Sequence, residues 1–189
     1  MSAQILPSIH PSAVVESSGI LVIPESTHIE AHATISVGKA ASLQLGERNT
    51  LYPSVVIRLS QGQIVAGNDV SYGPGVVLYE TRSGLRIGDN CMLAAGVKIC
   101  GSEHGHEFTD RPMREQAVVS KEIIIEDDVW IGMNAVIHPG VTIGTGTIIG
   151  SGSVVTRSIP AFCVAYGSPC RFQRSRLTND SDSSSRHVQ

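Results

Sequence analysis

Aliphatic residues recur at every sixth position through the C-terminal half of the chain. From residue 125 it reads IEDDVW, IGMNAV, IHPGVT, IGTGTI, IGSGSV and VTRSIP, with Ile125, Ile131, Ile137, Ile143, Ile149 and Val155 in the first column. The fifth column holds Val129, Ala135, Val141, Thr147 and Ser153, all small or β-branched. The same frame runs upstream from Ile87, Leu93 and Ile99, and looser copies start at Leu45 and Leu51, leading to Ile57, and at Ile29, leading to Ile35. A period of six fits neither the 3.6 of a helix nor a plain alternating hairpin. It predicts coils of three short strands and three corners, about eighteen residues per coil, stacked with the aliphatic column inside. The Gly, Asn and Asp that follow the aliphatic residues suit tight corners.

The frame breaks after His104 and returns at Ile123 to Ile125, an excursion of roughly twenty residues, 104 to 122. Loops of that length are functional or disordered, and disorder fits poorly with Phe108, Pro112, Met113, Val118 and Val119 in this one. A smaller change of register near residues 79 to 86, YETRSGLR, shifts the columns by three positions and reads as a turn. The organisation expected is one β-solenoid domain over 1–174 with a protruding loop. The basic segment SPCRFQRSR ends it as a short cap or helix. The serine-rich stretch from 175 to 189 reads as a flexible polar tail, too poor in apolar residues to offset the entropy of ordering.

Composition agrees with strands. The chain is 41% hydrophobic but only 4% aromatic, so its core is built of small and β-branched side chains. A formal charge of −3, with no basic block before the C-terminus, gives no electrostatic case for nucleic acid. No apolar run approaches the ~20 residues of a membrane span, and the start lacks the basic-then-apolar order of a secretory signal, so a cytoplasmic location is expected. Cys91, Cys100, Cys163 and Cys170 are too scattered for a disulfide framework and read as reduced thiols.

Residues 87 to 174 carry a closer likeness. SEHGHEFTDRPMREQ, then DDVWIG, then VVTRSIP and AYGSPCR resemble the hexapeptide-repeat, left-handed parallel β-helix acetyltransferases, in the branch of xenobiotic, maltose, galactoside and polysaccharide O-acetyltransferases. Residues 1 to 60 share only the period. An antiparallel sandwich, the alternative all-β architecture, would not require one fixed aliphatic register.

What the resemblance implies is transfer of an acetyl group from acetyl-CoA to a sugar or polysaccharide hydroxyl. An alcohol needs a base near neutral pH, the range of histidine. Anchored on Pro112, the motif puts His104 in the base position, with His106 as the competing base. The partner that orients the base is left open: Glu103 is adjacent, but neighbours on a strand point to opposite faces. The resemblance also implies that Trp130, Gly132, Gly150 and Ser151 line the cleft for the pantetheine arm and that Arg171 and Arg174 meet the CoA phosphates. Arg114 and Glu115, with Arg111, are acceptor-binding candidates. The family packs as homotrimers with the cleft between subunits, and no metal is expected.

Three other readings stand beside this one. Transfer to the amine of a nucleotide-linked amino sugar would depend less on the base. A γ-carbonic-anhydrase-like zinc enzyme would use histidines such as His28 and His32 or His104 and His106. A non-catalytic solenoid subunit would need neither the histidine loop nor an outward tryptophan.

Overall fold

The computed structural model describes residues 7–177 of the chain. They wind into a parallel β-solenoid of the left-handed β-helix class, triangular in section, with short strands on three faces, except that in two early coils one 11-residue strand, Thr34–Gln44 or Val56–Ala66, runs across the second and third faces. In the regular half these strands are Trp130–Ile131, Val136–Ile137 and Thr142–Ile143, then Ile148–Ile149 and Val154–Val155 one coil on. Each pairs a sixth-column residue facing out with a first-column residue facing in. The first and fifth columns are both sealed: Ile131, Ile137, Ile143 and Ile149 are 0% exposed, as are Ala135, Thr147 and Ser153. The two inward hydroxyls are satisfied, Thr147 Oγ1 donating to Pro160 O at 2.7 Å and Ser153 Oγ to Gly150 O at 2.6 Å. The fourth column takes the left-handed backbone that turns each corner, at Asp128 (φ 55°), Asn134 (φ 56°) and Gly140 (φ 79°).

The coil is not eighteen residues throughout. Parallel pairing steps from Trp130 to Ile148 as expected, but from Ser8 to His28, Thr50, Ser71 and Met92 it advances 20 to 22 residues per coil. The surplus sits at one corner, between the second and third faces. Inward residues flanking that corner are Ile35 and Leu45, Ile57 and Ala66, Leu78 and Ile87, then Ile99 and Ile125 across the long loop, and finally Ile137 and Ile143. The register change near 79 to 86 is thus one of a stack of enlarged corners. The long loop departs from the same corner of the next coil, and its Gly101 packs so closely on Thr81 that a Cβ there would lie 2.4 Å from the Thr81 Cα.

A ladder of side chains joins the coils at the corner between the third and first faces. Glu47 N donates to Asn68 Oδ1 at 2.8 Å, Asn68 N to Asp89 Oδ1 at 2.6 Å, and Asp89 N to Asp127 Oδ1 at 2.8 Å. Each acceptor lies one coil after the backbone it serves. The C-terminal cap is a strand and not a helix: Arg171–Ser175 turns back antiparallel on Cys163–Tyr166 and ends the first face. The polar tail read from 175 lies, from residue 178 on, outside the described residues. Among the described residues no helix is long and apolar enough to cross a membrane.

Candidate active site

The long loop is an antiparallel hairpin at its root, with Ser102–His104 paired to Val118–Ser120, so it leaves the coil two residues before His104. Ser120 Oγ ties the root, donating to Gly101 O at 2.6 Å and accepting from Ser83 N at 3.0 Å. Beyond the strands, Gln116 closes the loop as a backbone pair would. Its side chain accepts from Phe108 N at 3.1 Å and donates to Phe108 O at 2.8 Å. The Gln of the loop motif is therefore a clasp, a role that spacing alone did not disclose.

His104 and His106 are both exposed on this hairpin, and the His106 ring nitrogen Nδ1 lies 3.3 Å from His104 O. Arg114 and Glu115 follow on the exposed turn Met113–Glu115. Arg111 is engaged by Asp110 at 3.0 Å and sits over the Phe108 ring at 4.9 Å. The hydrogen bond from Arg111 holds the Asp110 carboxyl below the usual carboxylate range. Phe108 and Met113 are 56% and 64% exposed, so this loop presents apolar surface that the other described residues do not cover.

Glu103 does not reach His104. Its Oε1 lies 2.8 Å from Nδ1 of His138, in the corner of the coil below. Sequence reasoning missed this partner because the two residues are brought together only by the register across the loop. Pairing Ile99 with Ile137 sets His138 beside Cys100, a relation that counting the frame across the insertion would have revealed.

The residues assigned to the cofactor gather elsewhere. Trp130 projects from the first face, 46% exposed, in a row with Met92, Ile148 and Val164, and Arg174 stands opposite Val164 at the row's end. Arg171 begins the same strand and donates from Nη1 to Cys170 O at 2.8 Å. Gly132, Gly150 and Ser151 form the adjoining corner. There the glycines have a packing reason: a Cβ on Gly132 would fall 2.6 Å from Ser151 N, and one on Gly150 2.7 Å from Tyr166 Cβ. In a triangular section, the first face lies across the prism from the corner that carries the loop. One chain thus separates the histidines and loop polar groups from the Trp130 row, and Trp130 does not pack on its own loop. His28 and His32 lie on the first face and its corner, and among the described residues no three metal-ligating side chains cluster.

Two family descriptions match the repeats: "Bacterial transferase hexapeptide (six repeats)" over residues 122–157 and "Hexapeptide repeat of succinyl-transferase" over residues 73–100. The chain is 32% identical to the maltose O-acetyltransferase of Clostridium difficile 630, covering 70% of this chain and 69% of that one, with a TM-score of 0.61. It is 44% identical over 98 residues to the galactoside O-acetyltransferase of Escherichia coli K12, 52% of this chain and 46% of the relative. The fold is also that of AntD, an N-acyltransferase from Bacillus cereus solved with dTDP and 3-hydroxybutyryl-CoA, at a TM-score of 0.72 and 18% identity over 84% of this chain and 85% of AntD. The chain belongs to the hexapeptide-repeat acetyltransferase family, in the branch of the galactoside and maltose O-acetyltransferases. It spans about half the length of the curated relatives it matches, 46% for the galactoside enzyme.

Proposed function

We propose that this protein is an acetyl-CoA-dependent O-acetyltransferase acting on a sugar or polysaccharide hydroxyl, with His104 as general base. The hydroxyl oxygen attacks the thioester carbonyl as the imidazole takes its proton. The carbon–sulfur bond breaks, and the proton passes to the departing CoA thiolate, leaving an acetyl ester and free CoA. Direct transfer is favoured by the state of the cysteines: Cys91, Cys163 and Cys170 are buried and the Cys100 thiol donates to Ser102 O. The acceptor class follows from relatives named for galactosides and maltose.

The observation that carries the reading is the separation of the two candidate sets. An apolar row that includes Trp130 and ends at Arg174 suits a pantetheine arm with its phosphates at the cationic end, yet the histidines stand on the far side of the same prism. A homotrimer with the loop of one subunit beside the first face of the next would bring the sets together, covering Phe108 and Met113 as well.

The test is thiol release from acetyl-CoA over a panel of mono-, oligo- and polysaccharides, with His104→Ala and Arg174→Ala alone and co-expressed in mixed oligomers. The reading expects turnover that falls about 10²- to 10⁴-fold in His104→Ala and is partly regained in the mixture. Wild-type activity retained by His104→Ala would move the role to His106 or the acceptor to an amine. Mixed oligomers no better than the single variants would put the site within one subunit.

A further inference from the structure

We infer that His138 is a positioning residue for the transfer, holding through Glu103 the hairpin that presents His104. The inference rests on the reading of His104 as base. Glu103 and His104 are successive residues of one strand, so their side chains leave opposite faces of the hairpin. Across the hairpin Glu103 is opposite Val119 and His104 opposite Val118. The Glu103 face is turned to the solenoid, where its carboxylate meets His138 Nδ1 at 2.8 Å, and His104 is thereby aimed away from the coil. An ionised carboxylate only accepts hydrogen bonds, so the proton of this contact sits on Nδ1 of His138.

His138 is itself well fixed. Its N–H donates to Val155 O at 3.0 Å in the next coil, and its neighbour Ile137 is sealed in the bore at 0% exposure. Among the described residues it is the one histidine whose ring is paired with a carboxylate. Lys121, the residue that follows the other arm of the hairpin, lies over the same corner, since a Cβ at Gly140 would be 3.0 Å from Lys121 Cδ. A two-stranded hairpin fastened only at its root by Ser120 and Gly101 is free to twist about that root. Contacts of Glu103 with His138 and of Lys121 with Gly140 oppose that twist. The Glu103–His138 pair is half exposed, with side chains 48% and 38% accessible, so its contribution to global stability is small. Its effect is on the direction of the next residue.

The experiment uses the full-length protein with His138→Ala, His138→Asn, Glu103→Ala and the double alanine variant. Asparagine carries Nδ2 where histidine carries Nδ1, so His138→Asn keeps the donor. Expected for His138→Ala is a kcat about 10- to 100-fold lower, the scale of a misplaced catalytic group, with the KM for acetyl-CoA and the melting temperature unchanged. His138→Asn restores kcat, and the double variant is no worse than either single one. Hydrogen exchange of the amides of residues 102–104 and 118–120 gives a second readout that needs no turnover, faster in His138→Ala and normal in His138→Asn. Absence of wild-type turnover on every glycan would count against the proposed function while the exchange comparison still decides the clamp. Wild-type kcat together with wild-type exchange in His138→Ala would overturn the inference, as would a loss that asparagine fails to rescue.

Discussion

Between Ser8 and Met92 each coil takes 20 to 22 residues, whereas the coil from Trp130 to Ile148 takes 18 and the last, from Ile148 to Val164, takes 16, and both halves keep the same three faces in register. Two of the three corners never change length. All the surplus is absorbed where the second face turns into the third, modestly in the early coils and by a whole hairpin at the loop. The loop therefore elaborates a corner that four preceding coils had already loosened. A solenoid sums its coils through nearest-neighbour contacts, so one corner can lengthen while the other two continue to stack.

Shortening the loop should have the most severe consequence. Replacing residues 103 to 118 with a short turn, while keeping Gly101 and Ser120, should leave a folded solenoid by circular dichroism and melting. Acetyl transfer should fall by at least the ~10²- to 10⁴-fold expected for the base alone. Collapse of the whole fold would show the loop to be part of the scaffold. Next in size are matched core truncations, Ile57→Ala in the wide half and Ile137→Ala in the regular half, both at 0% exposure. Each should cost about 2–5 kcal/mol in denaturant unfolding, and a markedly cheaper Ile57→Ala would mean that the wide coils are loosely packed. Smaller still is Gln116→Ala, which removes the clasp on Phe108 and both of its part-buried hydrogen bonds to that backbone. The loss should be about 1–3 kcal/mol of local loop stability, seen as faster exchange of the Phe108 amide with little change in the melting temperature. Least costly is a reading of the thiols. Burial pushes the Cys91 thiol up to about 11, so Cys91 should react with a thiol reagent only on unfolding, while the partly exposed Cys100 reacts in the native protein.

The solenoid was legible because its signal is redundant: each inward position from Ile125 to Val155 repeats the same steric demand, and one frame explains them all. The wide coils were harder to read because their surplus of two to four residues shifts the frame without any motif of its own, so the stretch near 79 to 86 read only as a turn. The loop announced itself by interrupting the frame, which made His104, His106, Arg114 and Glu115 accessible to sequence reasoning. Gln116 and His138 were not, since each acts through a partner many bonds away that only three-dimensional register supplies. Gly132 and Gly150 carried a second reason beside cofactor approach: in the following coil the Ser151 backbone leaves no room for a side chain at Gly132, and the Tyr166 side chain leaves none at Gly150.

The ladder of Glu47, Asn68, Asp89 and Asp127 bears on the order of events at the ribosome. Each corner amide is satisfied by a side chain synthesised one coil later, so no coil of this series is complete when its own last residue emerges. For Asp89 the wait includes the entire loop, because its acceptor is Asp127. Chains arrested just short of residue 127 should therefore expose the Asp89 corner to protease, and chains extended past the Trp130 strand should protect it.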